Sequence, residues 1–238
     1  MIYCFGSSQV GVFSGTDIPS PVWPERSVIC NGEIFDKKDA LPWFRTFNIG
    51  AVLAYHAEKH FEKVKEILET ISEFDKVNDT LLLLFGDVDI RMHVYVQAAK
   101  QKKQMSEIVK TIAKRYLKAV LDLMDDGFNI ALYGCIGSAV RSDAPQYPIY
   151  GTVQNRNEAT ALFNGYLRRF CLDHNLPYVS VFNELMTEYA STDLRYMDTE
   201  LMGKGNGLHI TTKMLPLLLW KCRDIGLIPF EDKISMYE

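Results

Sequence analysis

The sequence has no excess of positive charge: 26 basic residues face 30 acidic ones, for a net charge of −4. Proteins that neutralise phosphates with lysine and arginine need that excess, so neither nucleic acid nor an anionic membrane is an expected partner. The one basic run, "KQKKQM" at 100–105, reads as the exposed face of a helix. Long apolar runs are missing too. "LLLLF" at 81–85 is among the longest, far below the roughly 20 residues that span a bilayer. No basic segment precedes an apolar one at the N-terminus, so no secretory signal is expected. Cysteines are few. The five are odd in number and widely spaced, with no CxxC pair, which argues against a disulfide framework and against zinc. Free thiols in a reducing cytoplasm are the expectation, with no metal and no organic cofactor. No low-complexity tract and no internal repeat is visible.

What is present is the composition of a soluble globular chain, 47% hydrophobic and 24% charged. Residues 1–238 fit one domain, large enough to hold a sizeable core without cross-links. Short apolar runs alternate with longer amphipathic ones. Strands are expected at 1–5, 43–48, 80–85, 128–134 and 178–182, with a short extra one at "SVIC", 27–30. Helices are expected at about 52–74, 94–126, 155–175 (with an Asn N-cap) and 211–225. Residues 11–41 otherwise read as a loop rich in Gly, Pro and Ser. Alternating strands and helices argue for a parallel sheet covered on both faces. A three-layer α/β/α sandwich with five parallel strands in a flavodoxin-like order is the simplest solution.

In such a sheet, ligands bind beyond the carboxyl ends of the strands. Three strands run into glycine there: "FGSSQ" at Gly6, "NIGAV" at Gly50 and "FGDVD" at Gly86. Glycine permits a sharp turn or a close backbone approach to a ligand. A fourth segment, "GKGNGLHIT" at 203–211, delivers His209 just before the last helix. A histidine at that edge can take a proton from a serine. Ser7 and Ser8 follow the first strand, and each is either a candidate nucleophile or a cap of the turn. Cys4, inside the first strand, reads as a buried and inert thiol.

This set of residues resembles the SGNH, or GDSL-type, hydrolases. The family comprises esterases, lipases, carbohydrate-ester deacetylases and some acyltransferases on a flavodoxin-like fold. "FGSSQ" is similar to its first block, with Ser8 in the nucleophile's place. Gly50 matches the oxyanion-hole glycine of the second block. Gly86-Asp87-Val88-Asp89 corresponds to the third, and Asn206-Gly207-Leu208-His209 to the last. "FGDVDIRMHV" at 85–94 also resembles a variant third block of SGNH-like proteins linked with glycan modification. The resemblance implies Ser8 as nucleophile, His209 as base and Asn206 as its orienting partner. It implies an oxyanion hole from the N–H groups of Ser8, Gly50 and Gly86.

Two positions depart from the family pattern. The third-block Asn, a side-chain donor to the oxyanion, is Val88, and losing one such donor typically costs about 10²–10³ in rate. The acid of the last block is Asn206, which can orient an imidazole but cannot stabilise its charge. Asp198 or Asp89 is an alternative acid for His209. Asp87, Asp89, Arg91 and His93 form a candidate substrate-binding group. Read as a strand, this segment would point Arg91 and His93 the same way. Arg91 either meets a developing negative charge, or a carboxylate or phosphate on a substrate, or forms an ion pair with Asp87 or Asp89. Two functions follow. One is a serine esterase or acyltransferase acting on an ester of a glycan or small hydroxyl compound. The other is a catalytically impaired module on the same scaffold that binds a glycan or other ligand.

Overall fold

A computed structural model describes residues 1–17, 20–30, 32–140, 150–197 and 209–229. Five parallel strands form its main sheet: β1 (Ile2–Gly6), β4 (Phe44–Asn48), β5 (Thr80–Leu84), β6 (Asn129–Tyr133) and β7 (Tyr178–Val179), in the spatial order β4-β1-β5-β6-β7. This is the expected doubly wound arrangement, with β1 inside the sheet. The segment at 27–30 is β2 (Ser27–Cys30). Its antiparallel partner β3 (Glu33–Asp36) makes a hairpin where a loop was expected.

The period of two in a strand explains how unbroken apolar runs fill two layers. Tyr3, Phe5, Leu81, Leu83, Ile130 and Leu132 face one core. Ile2, Cys4, Leu82, Leu84, Ala131 and Tyr133 face the other. Leu81 to Leu84 are each at most 1% exposed, and burying each such side chain contributes about 1.5–3 kcal/mol. Helices α1 (Ala57–Glu69), α3 (Met105–Asp125) and α4 (Val153–His174) cover the first face through Phe61, Tyr116 and Phe163. The second face is covered by α5 (Phe182–Leu185), by α6 (Leu215–Asp224) and by a 3₁₀ helix, Ser8–Ser14, that brings Val10 and Phe13 inward.

Several boundaries differ from the sequence reading. The helix expected over 94–126 is two helices, α2 (Val94–Gln101) and α3, broken where Lys102 adopts φ of 53°. Residues 100–104 carry no apolar side chain, so no core contact holds that turn helical. Its amides instead close back on α2, Lys102 to Ala99 and Lys103 to Ala98. Helix α4 starts earlier than expected, capped by Thr152. The Thr152 Oγ1 accepts the Asn155 N–H, and Asn155 Oδ1 accepts the Thr152 N–H, both at 3.1 Å. Finally, Asp89–His93 is a π-helical turn leading into α2, not a strand.

Two glycines let strands leave the sheet. A Cβ on Gly6 would lie 2.3 Å from the Leu84 carbonyl oxygen. Gly86 has φ of 115°, and a Cβ there would lie 2.4 Å from the Phe163 ring and 2.9 Å from Cys135 Sγ. Gly86→Ala combines backbone strain with overpacking and should lower stability by roughly 3 kcal/mol. Urea unfolding measures this; a loss below about 1 kcal/mol would show that α4 yields easily at Phe163.

Candidate active site

Beyond Gly6 the chain passes through Ser7, extended at φ −75° and ψ −170°, into the 3₁₀ helix. Ser7 occupies the capping position, but its hydroxyl makes no cap hydrogen bond there. Ser8 is the first helical residue and is exposed, while buried Val10 and Phe13 fix the turn beneath it. The distant end of the chain is held against this turn. Ile210 bridges to Met197, and the Thr211 N–H donates to the Tyr196 carbonyl at 2.8 Å. Asp17, just past the 3₁₀ helix, accepts the Thr212 N–H at 2.6 Å and the Thr212 hydroxyl at 2.8 Å. These contacts set His209 so that its Nε2 lies 2.7 Å from Ser8 Oγ.

The His209 ring is half-buried, and its pKa is lowered to about 4, first by burial and then by the positive charge of Arg91. The imidazole is therefore neutral at pH 7. In the tautomer protonated on Nδ1, Ser8 Oγ–H donates to Nε2, as nucleophile activation requires. Asn206 and Asp198, the candidates for orienting the ring, lie outside the described residues. Asp89 does not reach it. Its carboxylate is buried on the far side of the π-turn, accepting the N–H groups of Ala54 at 2.6 Å and Tyr55 at 3.1 Å.

A cavity of about 310 Å³ opens beside Ser8 and His209, and Gly50, Val88, Arg91 and Met92 are among its walls. Gly50 lines the same cavity as Ser8 and His209. Its N–H, however, donates to Asn48 Oδ1 at 3.0 Å, and the Asn48 Nδ2 donates to the Ser20 carbonyl at 2.7 Å. Sequence reasoning missed Asn48. The signal was there: an asparagine two residues before a glycine commonly bonds the backbone two residues on. Gly86 does not line this cavity; it packs against Phe163 and Cys135, which corrects its expected place in the oxyanion hole. Val88 does line the cavity and presents only hydrocarbon.

The group Asp87, Asp89, Arg91 and His93 is split by the π-turn. Asp87 and Arg91 line the Ser8 cavity. Asp89 and His93 line a second cavity of about 310 Å³ with Leu53, Tyr55 and His56. Arg91 and His93 therefore point to different spaces, contrary to the strand reading, because successive residues of a helix fan around its axis. Asp87 and Arg91 form a buried ion pair at 3.8 Å, each side chain 8% exposed. Burial raises the Asp87 pKa, opposed by Arg91 and by the Ile136 N–H, which donates to its carboxylate. Burial holds Asp89 up to about 7 despite its two backbone donors. Among the described residues no group of three or more His, Cys, Asp or Glu is placed to hold a metal, and no helix is long and apolar enough to cross a membrane. Cys4, Cys135, Cys171 and Cys222 are buried free thiols.

No protein-family model matches the chain, and no curated protein matches it either. Solved structures do match over nearly its whole length. A candidate acylhydrolase from Bacteroides fragilis superposes with a TM-score of 0.57 at 11% identity, covering 95% of this chain and 88% of its own. A catalytic mutant of an acetylxylan esterase from Geobacillus stearothermophilus gives 0.53 at 14% identity, covering 94% and 93%. A carbohydrate acetylesterase from Sinorhizobium meliloti gives 0.50 at 11% identity, covering 95% and 99%. The chain has the α/β fold of the SGNH-type hydrolases.

The lowered pKa of His209 predicts a pH effect on stability. The unfolded imidazole titrates near 6.5, the folded one near 4. Between those values the unfolded chain binds a proton that the folded chain does not, so this contribution to stability is lost as pH falls from 6.5 to 4. Asp89 acts oppositely, because its folded pKa lies above its unfolded one. Comparison with a His209→Gln variant isolates the histidine: the wild type should lose more stability than the variant between pH 7 and pH 4.5 in urea unfolding. Equal losses would contradict the depressed pKa.

Proposed function

We propose that the protein is an SGNH-type serine hydrolase that cleaves small acyl esters of a glycan or another small hydroxyl compound. The observation that carries this reading is the 2.7 Å contact between Ser8 Oγ and His209 Nε2 at the carboxyl edge of the sheet. Ser8 adds to the ester carbonyl while its proton passes to His209. The imidazolium returns that proton to the departing alkoxide, leaving an acyl-Ser8 intermediate. Water, or a second hydroxyl compound in the case of acyl transfer, then attacks with His209 again as base. The Ser8 N–H faces no carbonyl of its own helix, being at the helix start, and is one donor to the oxyanion. Gly50 adds a second donor only when Asn48 releases it. Asn206 orients the imidazole without adding charge. The apolar side chains of Val22, Val88 and Met92 in the cavity suit an acetyl-sized acyl group. The chemistry as written needs no metal and no organic cofactor.

A second reading, a binding module without turnover, is favoured by Val88 in the cavity wall and by the engagement of the Gly50 N–H with Asn48. A fluorophosphonate probe separates the two. A hydrolase is labelled at Ser8, and Ser8→Ala loses both the label and the hydrolysis of p-nitrophenyl acetate. Turnover undiminished in Ser8→Ala, or an unlabelled wild type, would reject the hydrolase. Asp17→Ala should lower kcat by roughly tenfold with the fold intact, since the segment carrying His209 loses two hydrogen bonds. An unchanged kcat would show that the Ile210 bridge alone positions the ring.

A further inference from the structure

The oxyanion of an ester-cleaving site needs donors aimed at the oxygen that becomes negative. In this cavity the usual sources are depleted. The Gly50 N–H is held by Asn48, and Asn48 is itself pinned to the Ser20 carbonyl. Val88 donates nothing, and Gly86 is packed elsewhere. Among the described residues the same cavity wall carries a cationic donor, Arg91, one turn beyond Asp87 on the helical segment that follows β5. Its guanidinium is permanently charged and offers five N–H groups in a fixed fork. Asp87 lies 3.8 Å away, beyond hydrogen-bond distance, and is itself anchored by the Ile136 N–H. The pair thus orients Arg91 electrostatically, with one backbone N–H holding Asp87 in place.

We infer that Arg91 replaces the missing side-chain amide, donating a charge-assisted hydrogen bond to the carbonyl oxygen as Ser8 adds to the ester. This rests on the serine-hydrolase reading. The Ser8 Oγ–carbon bond forms, the carbonyl electron pair moves onto oxygen, and the Ser8 proton moves to His209 Nε2. Arg91 keeps all its protons throughout. On collapse the electron pair re-forms the carbonyl, the bond to the leaving alkoxide breaks, and His209 protonates that alkoxide. The arrangement also accounts for the neighbouring base. In the free site the Arg91 charge disfavours the imidazolium. Once the oxyanion meets that charge, the penalty falls, so proton transfer to His209 is tied to bond formation at carbon.

The test measures kcat and KM of the wild type, Arg91→Met, Arg91→Lys and Ser8→Ala on two esters, neutral p-nitrophenyl acetate and anionic p-nitrophenyl hemisuccinate. Arg91→Met should lower kcat on both by about 10²–10³ with little change in KM. The acid limb of its kcat/KM profile should move to higher pH, because His209 loses a neighbouring cation. Arg91→Lys keeps the charge and loses the fork, so its kcat should fall about tenfold with the acid limb in place. A wild-type kcat on the neutral ester in Arg91→Met overturns the inference. So does a loss confined to KM for the anionic ester, which would make Arg91 a carboxylate clamp. If circular dichroism shows Arg91→Met unfolded, Arg91→Lys decides, and a wild-type kcat there overturns the inference. Full turnover in Ser8→Ala would reject the hydrolase itself; loss in Ser8→Ala with none in Arg91→Met rejects only the role of Arg91.

Discussion

The contact between Ser8 and His209 joins residues 201 positions apart, and most of the architecture serves to close that distance. A single exposed hydrogen bond contributes only about 1 kcal/mol, so it cannot itself hold the two segments together. The parallel sheet does the first part by bringing β1 to its interior with its carboxyl end facing the same edge as β5 and β4. Gly6 then lets the chain leave the sheet against the Leu84 carbonyl. Asp17 and the Met197–Ile210 bridge complete the closure from the other side. The contact between Ser8 and His209 is a product of packing, with its geometry set by side chains outside the pair.

The electrostatics of the edge follow from the same burial. Taking Asp87 and Arg91 out of water is costly, and their attraction offsets that cost only with help from other partners. The Ile136 N–H supplies one such partner for Asp87. Burial first, and the nearby cation second, keep the His209 imidazole neutral across the physiological range. A neutral imidazole is a competent proton acceptor, though a weaker base than one with the usual pKa. In the proposed mechanism the site trades basicity of His209 against a positive field where negative charge would develop.

Much of this was legible in the sequence, because buried strands advertise themselves. "MIYCF", "TLLLLF" and "FNIALYG" are apolar on both faces, and their alternation with amphipathic segments dictates the layered fold. Ser8 and His209 could be singled out because the order of the motifs places them at one edge. The hairpin β2–β3 was partly hidden: its strands are short and lie in a Gly- and Pro-rich stretch without a buried face. The break at Lys102 was hidden because helix propensity is high on both sides of it; only the lack of core contacts at 100–104 ends the helix. Asp17 escaped because its role depends on backbone groups brought near by tertiary structure, whereas the bond of Asn48 to Gly50 is local and its spacing is visible in the sequence. The split of Asp89 and His93 from Asp87 and Arg91 depended on a π-turn, which has no distinctive composition.

That π-turn gives the fold a mechanical property of its own. A π-turn is an α-helical turn widened by one residue. Removing one residue within 89–93 would let the turn relax to an α-helix, rotating what precedes it by about 100° relative to α2. Arg91 would leave one compartment and Val88 would be re-aimed, while the sheet and α3 stayed in place. Insertion or deletion at this single turn would therefore change, in one discrete step, which side chains line the Ser8 cavity.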